Sequence, residues 1–188
     1  MTRVKNKLLT VLGPTACGKT ALAVHLAHQL GGEIISGDSR QVYKQMDLGS
    51  GKDLNEYSID GETIPYHLID IVEPGYRYNV FEYQQDFIDA YQHVQSNGKL
   101  PILCGGSGMY IESVLRDYQL VSIPPHEAFR QEYEAKELDD LNDIARQWGL
   151  GEKILDKFNK KRIVRVLERH QFREEDEGLK KARLKYRL

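Results

Sequence analysis

Cysteine is scarce in this chain. The two present among 188 residues, Cys17 and Cys104, are too few for a disulfide framework or a thiolate metal set. Six histidines are present and none falls at a metal-ligand spacing; His25 and His28 lie on a helical stretch, and His67 reads as structural. No apolar run approaches the length of a membrane span, and Met1–Lys7 leads straight into an apolar stretch with no signal-peptide core. A reducing cytoplasm and no membrane partner are the expectation. No internal repeat is visible.

Charge of one sign is also missing overall, but not locally. Residues 1–150 carry 13 Lys+Arg and 21 Asp+Glu, a net of −8, whereas residues 151–188 carry 13 and 7, a net of +6. A basic end on an acidic body points to a polyanionic partner. The competing explanation is a solvated, salt-bridged helix, because Glu168, Glu174, Glu175, Asp176 and Glu177 are interspersed there.

What is present begins at Gly13. The segment Gly13-Pro14-Thr15-Ala16-Cys17-Gly18-Lys19-Thr20 follows the apolar run Leu8–Leu12, precedes a helical pattern, and fills every fixed position of G-x-x-x-x-G-K-[ST]. Such a loop turns backbone N–H groups toward an anion at a helix N-terminus. Lys19 adds a mobile charge, and Thr20 offers a hydroxyl to Mg²⁺. All eight residues are candidate diphosphate or nucleotide ligands. Cys17 lies at a helix start beside Lys19, a setting that acidifies a thiol, although a buried and inert thiol is the simpler expectation.

The rest of the first part alternates strand and helix. Leu8–Leu12, Glu33–Ser36, Tyr66–Val72 and Leu100–Cys104 read as strands. Lys19–Leu30, Val80–Gln95 with Asn79 as N-cap, and Met109–Arg116 read as helices. This predicts an α/β fold: a P-loop-type parallel sheet with helices on both faces, plus a small C-terminal helical part. After Pro124-Pro125 the pattern becomes polar and helical over His126–Trp148 and Lys153–Phe158, then over Lys160–Phe172, followed by a charged tail, Glu174–Leu188. The expected division is a core over 1–118, a reduced helical insertion over 119–158, and a basic helix and tail over 159–188.

In an open parallel sheet, ligands bind beyond the carboxyl ends of the strands. Asp38 follows the second strand and is a candidate general base or metal partner; alternatively it caps a helix over Ser39–Met46. Gly105-Gly106-Ser107-Gly108 brings a backbone and one hydroxyl to the same end. Asp70 reads either as a Walker B aspartate or as a half-buried strand position.

Taken together, Gly13–Thr20, Ile35–Tyr43, Met46–Lys52, Tyr66–Asp70 and Gly105–Tyr110 resemble the tRNA dimethylallyltransferases (tRNA isopentenyltransferases), in that family's order. Lys161–Glu168 resembles the family's basic RNA-contacting helix. The resemblance implies transfer of a dimethylallyl group from dimethylallyl diphosphate to the exocyclic amine of the adenosine 3′ of a tRNA anticodon, with Mg²⁺ as cofactor. It implies Asp38, Ser107 and Lys19 as catalytic residues and Thr20 as the metal ligand. It also implies tRNA contacts at Asp38, Ser39, Arg40, Gln41, Arg130, Lys161, Arg162, Ile163, Val164 and Arg165. The anticodon loop and dimethylallyl diphosphate are the expected partners, and a monomer is expected.

Three other readings stay open. One is a shortened, non-catalytic relative that binds diphosphate or RNA, because Glu174–Leu188 does not match the helical portion with which the family continues. The second is an adenylate isopentenyltransferase acting on a free nucleotide, and the third is a P-loop small-molecule kinase.

Overall fold

The structure, a computed structural model, describes residues 7–118, 120, 123–152, 154 and 157–172. The tail Glu174–Leu188 and part of Lys153–Phe158 lie outside the described residues. Two compact units are present, one built from the described residues up to 120 and the other from those beginning at 123.

In the first unit, β1 (Leu9–Leu12), β2 (Gly32–Gly37), β5 (Tyr66–His67) and β6 (Leu100–Gly105) form one parallel sheet in the order β1-β6-β2-β5. Alternation along the strands sorts the side chains between two cores. Ile34, Ile102 and Cys104 join the core under α1 (Lys19–Leu30). Ile35 and Leu103 face the other way, toward α2 (Val80–Ser96) and α3 (Gly108–Leu115). Helices therefore cover both faces, which is why these short strands are apolar at consecutive positions. Each fully buried Ile or Leu contributes about 2 kcal/mol of transfer free energy.

Asn79 caps α2 as the sequence predicts. Its Oδ1 accepts the Phe81 and Glu82 N–H groups at 3.0 and 3.2 Å, and the Glu82 carboxylate returns to the Asn79 N–H at 3.1 Å. Between β2 and β5 the chain makes a 3₁₀ turn (Leu54–Tyr57) and a small hairpin of β3 (Ser58–Ile59) and β4 (Glu62–Thr63). Asp60 and Gly61, both at positive φ, form the hairpin turn.

Two segments depart from the sequence expectation. The apolar run Tyr66–Val72 is a strand only over Tyr66–His67, because Leu68 and Asp70 adopt left-handed backbone (φ 62° and 57°). Val72 then makes a single parallel bridge to Tyr43. No helix forms over Ser39–Met46; the segment is a series of turns interrupted at Tyr43 by that bridge.

The second unit is α4 (Glu127–Glu134), α5 (Leu138–Gln147) and α6 (Lys160–Gln171) around Leu141, Ala145, Leu150, Ile154, Ile163, Val164 and Leu167. The insertion and the basic helix expected as separate parts thus share one core. Inside it lies Glu168, with no exposed surface. Its carboxylate accepts Arg130 Nε and Nη2 at 2.9 and 3.0 Å, Arg165 Nη1 at 2.5 Å, and the His126 N–H at 2.8 Å. Burial works against ionisation, but the hydrogen bonds from Arg130, Arg165 and the His126 backbone outweigh it and hold the carboxyl below its ordinary value.

Gly105 pairs with Gly37, and a Cβ at Gly105 would overlap the Gly37 backbone. Gly105→Ala is therefore expected to destabilise the first unit by about 3 kcal/mol in urea unfolding. Glu168→Gln leaves two arginines without their shared anion, and a loss of about 3 kcal/mol is expected in the second unit. Because the folded Glu168 titrates below its unfolded value of about 4.3, its stabilisation is complete above that pH. It is lost as pH falls through the lower folded value, and the variant's stability should be flatter over that acid range.

Candidate active site

The loop after β1 takes left-handed backbone at Ala16 (φ 59°) and Gly18 (φ 81°), the kind of turn whose neighbouring N–H groups can line an anion-binding concavity. Gly18 is the N-cap of α1 and provides no side-chain cap, so the first N–H groups of the helix face outward for an anion. Lys19 Nζ donates to the Pro14 carbonyl at 2.7 Å, curling over the loop that it serves. Cys17 is exposed, contrary to the expectation of a buried thiol; Cys104 is the buried one, and burial pushes its thiol up to about 11.

A cavity of about 720 Å³ opens beside this loop. The P-loop residues Thr15, Ala16, Gly18, Lys19 and Thr20 form one wall. Asp38 and Gln41 come from the segment after β2, and the Asp47–Asp53 loop closes the far side. Gly105 contributes the floor, and a Cβ on the adjacent Gly106 would lie 3.8 Å from Lys19 Nζ. Of the three predicted segments, the P-loop and Asp38–Gln41 supply side chains to this cavity, whereas Gly105–Gly108 lines it only through Gly105 and the Ser107 hydroxyl lies outside the lining.

The Asp38 segment is held by local hydrogen bonds. Asp38 Oδ1 accepts the Arg40 N–H at 2.9 Å, closing an Asx-turn over Asp38–Arg40 in place of the helix cap considered above. Ser39 donates its N–H to Ser107 Oγ at 2.8 Å, and Ser107 Oγ donates to Ser39 Oγ at 3.1 Å. Ser107 is the N-cap of α3, yet its hydroxyl makes no cap bond; it joins the two loops instead. Gln41 is buried, accepting from Ser36 Oγ at 2.9 Å and donating to the Gly51 carbonyl at 3.2 Å. Arg40 is exposed.

Sequence reasoning missed Lys52. Its side chain is 1 % exposed and its ammonium contacts Asp47 at 2.7 Å, Asp70, and the Tyr43 carbonyl at 3.2 Å. Burial would lower its pKa, but the hydrogen bonds to Asp47 and Asp70 overcome this and raise it. Asp70 is thus neither a Walker B aspartate nor a strand position. It is a left-handed turn residue whose N–H reaches the Gln41 carbonyl at 3.0 Å and whose carboxylate holds a buried lysine. A signal existed: a lone lysine in a glycine-spaced loop, with aspartates at 47 and 70 to pair with it.

The candidate RNA contacts of the second unit divide by burial. Ile163 and Val164 are core residues, so their side chains are unavailable to RNA. Arg130 is committed to Glu168, and Arg165 to Glu168 and the Ile123 carbonyl (2.9 Å). Lys161 and Arg162 are the exposed cations of the predicted stretch. Among the described residues no three His, Cys, Asp or Glu side chains form a metal-binding group, and no helix is long and apolar enough to cross a membrane.

A family model described as IPP transferase matches residues 41–184. The chain is 53% identical over 164 residues to tRNA dimethylallyltransferase 2 of Phocaeicola vulgatus, covering 87% of this chain and 53% of that protein. It is similar to the full-length tRNA isopentenylpyrophosphate transferase of Bacillus halodurans, with 35% identity, a TM-score of 0.59, and coverage of 89% and 56% of the two chains. A eukaryotic dimethylallyltransferase acting on tRNA shares the fold at a TM-score of 0.72 and 23% identity, over 97% of this chain and 46% of that one. The chain spans about half the length of the curated relatives it matches.

Removing the Ser107 hydroxyl leaves the Ser39 N–H without its acceptor. Ser107→Ala should cost about 1 kcal/mol in urea unfolding, whereas Ser107→Thr, which keeps the oxygen, should cost less.

Proposed function

Because the chain belongs to the IPP transferase family, we propose that its cavity carries out dimethylallyl transfer from dimethylallyl diphosphate to an adenosine amine of tRNA. The observation that carries this reading is the sharing of one cavity by the phosphate-binding wall and Asp38. A diphosphate held by the P-loop directs its allylic carbon toward the segment that presents the carboxylate. The adenine amine is a poor nucleophile. A hydrogen bond to Asp38 fixes its direction, and the carboxylate takes its proton as the new C–N bond forms and the diphosphate leaves.

Lys19 and the N–H groups of its loop stabilise the charge that develops on the departing diphosphate. Among the described residues there is no three-carboxylate cage, but Thr20 offers a hydroxyl beside the phosphate loop. That donor set fits Mg²⁺, which keeps several waters and binds mainly through substrate phosphates. When bound, the ion neutralises charge on the leaving group. Ser107 supports the reaction by tying the Asp38 segment to the β6 turn. The exposed Arg40 supplies a cation beside the site, and Lys161 and Arg162 supply exposed cations on the second unit, for a phosphate backbone. The protein acts in the cytoplasm as a monomer.

The test mixes the full chain, Mg²⁺ and labelled dimethylallyl diphosphate with unmodified tRNA, and with AMP in a parallel reaction. Label is expected in tRNA and not in AMP. Asp38→Asn keeps an oxygen for the Arg40 N–H but removes the base, so transfer should fall about a thousandfold while pyrophosphate affinity stays unchanged. Label in AMP alone would reassign the acceptor to a free nucleotide. Equal loss of transfer and pyrophosphate binding would remove Asp38 from the role of base.

A further inference from the structure

A lysine on the wall of a diphosphate cavity invites assignment as a second phosphate ligand, but the geometry of Lys52 argues otherwise. An ammonium has three N–H donors. Lys52 has three acceptors, Asp47, Asp70 and the Tyr43 carbonyl, and almost no exposed surface. Donating to a substrate would require breaking one of these bonds. The two aspartates also leave the cluster with a net negative charge, which repels a diphosphate. Lys19 differs on each count: it is bonded to a single carbonyl of its own loop and lines the phosphate end.

The three acceptors of Lys52 belong to three separate stretches of chain. Tyr43 ends the segment that starts at Asp38, Asp47 opens the far loop of the cavity, and Asp70 follows β5. A second set of bonds runs the opposite way across the same junction: Gln41 reaches the Gly51 carbonyl, and the Gln41 and Val42 carbonyls accept the Asp70 and Ile71 N–H groups at 3.0 and 2.8 Å. None of these bonds involves the P-loop. The cavity thus has two walls fastened independently, and Lys52 is the charged centre of the one that carries Asp38.

We propose that Lys52 is a positioning residue for the transfer reaction, fixing the Asp38–Tyr43 segment against the Asp47–Asp53 loop and so setting where the base meets the acceptor amine. This rests on the transfer reading given above. A buried cation suits the task because moving any of its three acceptors away leaves a desolvated ammonium short of a partner. The raised pKa of Lys52 keeps the cation charged throughout the neutral range.

The experiment compares wild type, Lys52→Met and Asp70→Asn as full chains. Three readouts are taken: kcat and KM for labelled transfer to tRNA, affinity for inorganic pyrophosphate with Mg²⁺, and amide hydrogen exchange of peptides covering residues 38–43, with α1 as the internal reference. Lys52→Met should lower kcat about a hundredfold, as expected for a misplaced reacting group, with KM for the diphosphate and pyrophosphate affinity unchanged. Exchange over residues 38–43 should rise about tenfold while α1 is unaffected. Asp70→Asn keeps a partner for the lysine, guards against a variant that does not fold, and should show the same pattern more weakly.

Retained kcat in Lys52→Met would overturn the proposal. Parallel loss of kcat and pyrophosphate affinity would also overturn it, and would make Lys52 a phosphate ligand. If wild type labels no acceptor, the transfer reading fails by itself. The exchange data then decide whether Lys52 fixes the Asp38 segment: faster exchange supports it, and unchanged exchange overturns it.

Discussion

The insertion of β6 between β1 and β2, in parallel register, is the constraint on which the site depends. It brings the ends of three strands that are remote in sequence to one edge of the sheet. The Gly37–Gly105 pair allows two of those ends to approach more closely than any side chain would permit. The P-loop, the Asp38 turn and the Ser107 turn emerge side by side as a result, and each then needs only short-range bonds to take its final shape. The geometry of this cavity is mainly a property of strand order, refined by a few side-chain oxygens.

The cavity contains two lysines that composition cannot distinguish and environment separates completely. One lies on a glycine-bearing loop at a helix start, bonded to a single carbonyl. The other is saturated by carboxylates and removed from solvent. The same distinction recurs in the second unit, where arginines that look like RNA contacts are consumed by Glu168, and the exposed cations of the predicted stretch are their neighbours Lys161 and Arg162. In both units the cations differ in whether carboxylates of the same unit already hold them.

Legibility in the sequence followed the range of the forces involved. The P-loop, the two-faced strands and the Asn79 cap were readable because each rests on residues close in sequence: a glycine spacing, an alternation, an N-cap with a glutamate three residues on. The Tyr66–Val72 run misled because hydrophobicity alone does not reveal a left-handed turn, and the turn exists to bring Asp70 to a lysine 18 residues earlier. Helix α6 was readable as amphipathic, yet Glu168 on its buried face pointed to its partner Arg130 only once the three helices were packed. Ser107 was found for its hydroxyl, but the bond to Ser39 spans 68 positions and has no local trace. Long-range polar pairing was the part of the site that pattern could not supply.

The fastening of the far wall also governs how this chain tolerates insertions and deletions. Residues 36–52 are tied at Ser36, Gln41, Tyr43, Asp47 and Lys52, so one residue gained or lost between any two ties shifts every bond beyond it. The β3–β4 hairpin, only a few residues away, has an exposed Glu62 and Thr63 and a two-residue turn outside the cavity lining. Changes in loop length are absorbed there at little cost. Relatives of this chain should therefore keep a fixed count of residues across the wall that holds Asp38 and vary it at the hairpin tip.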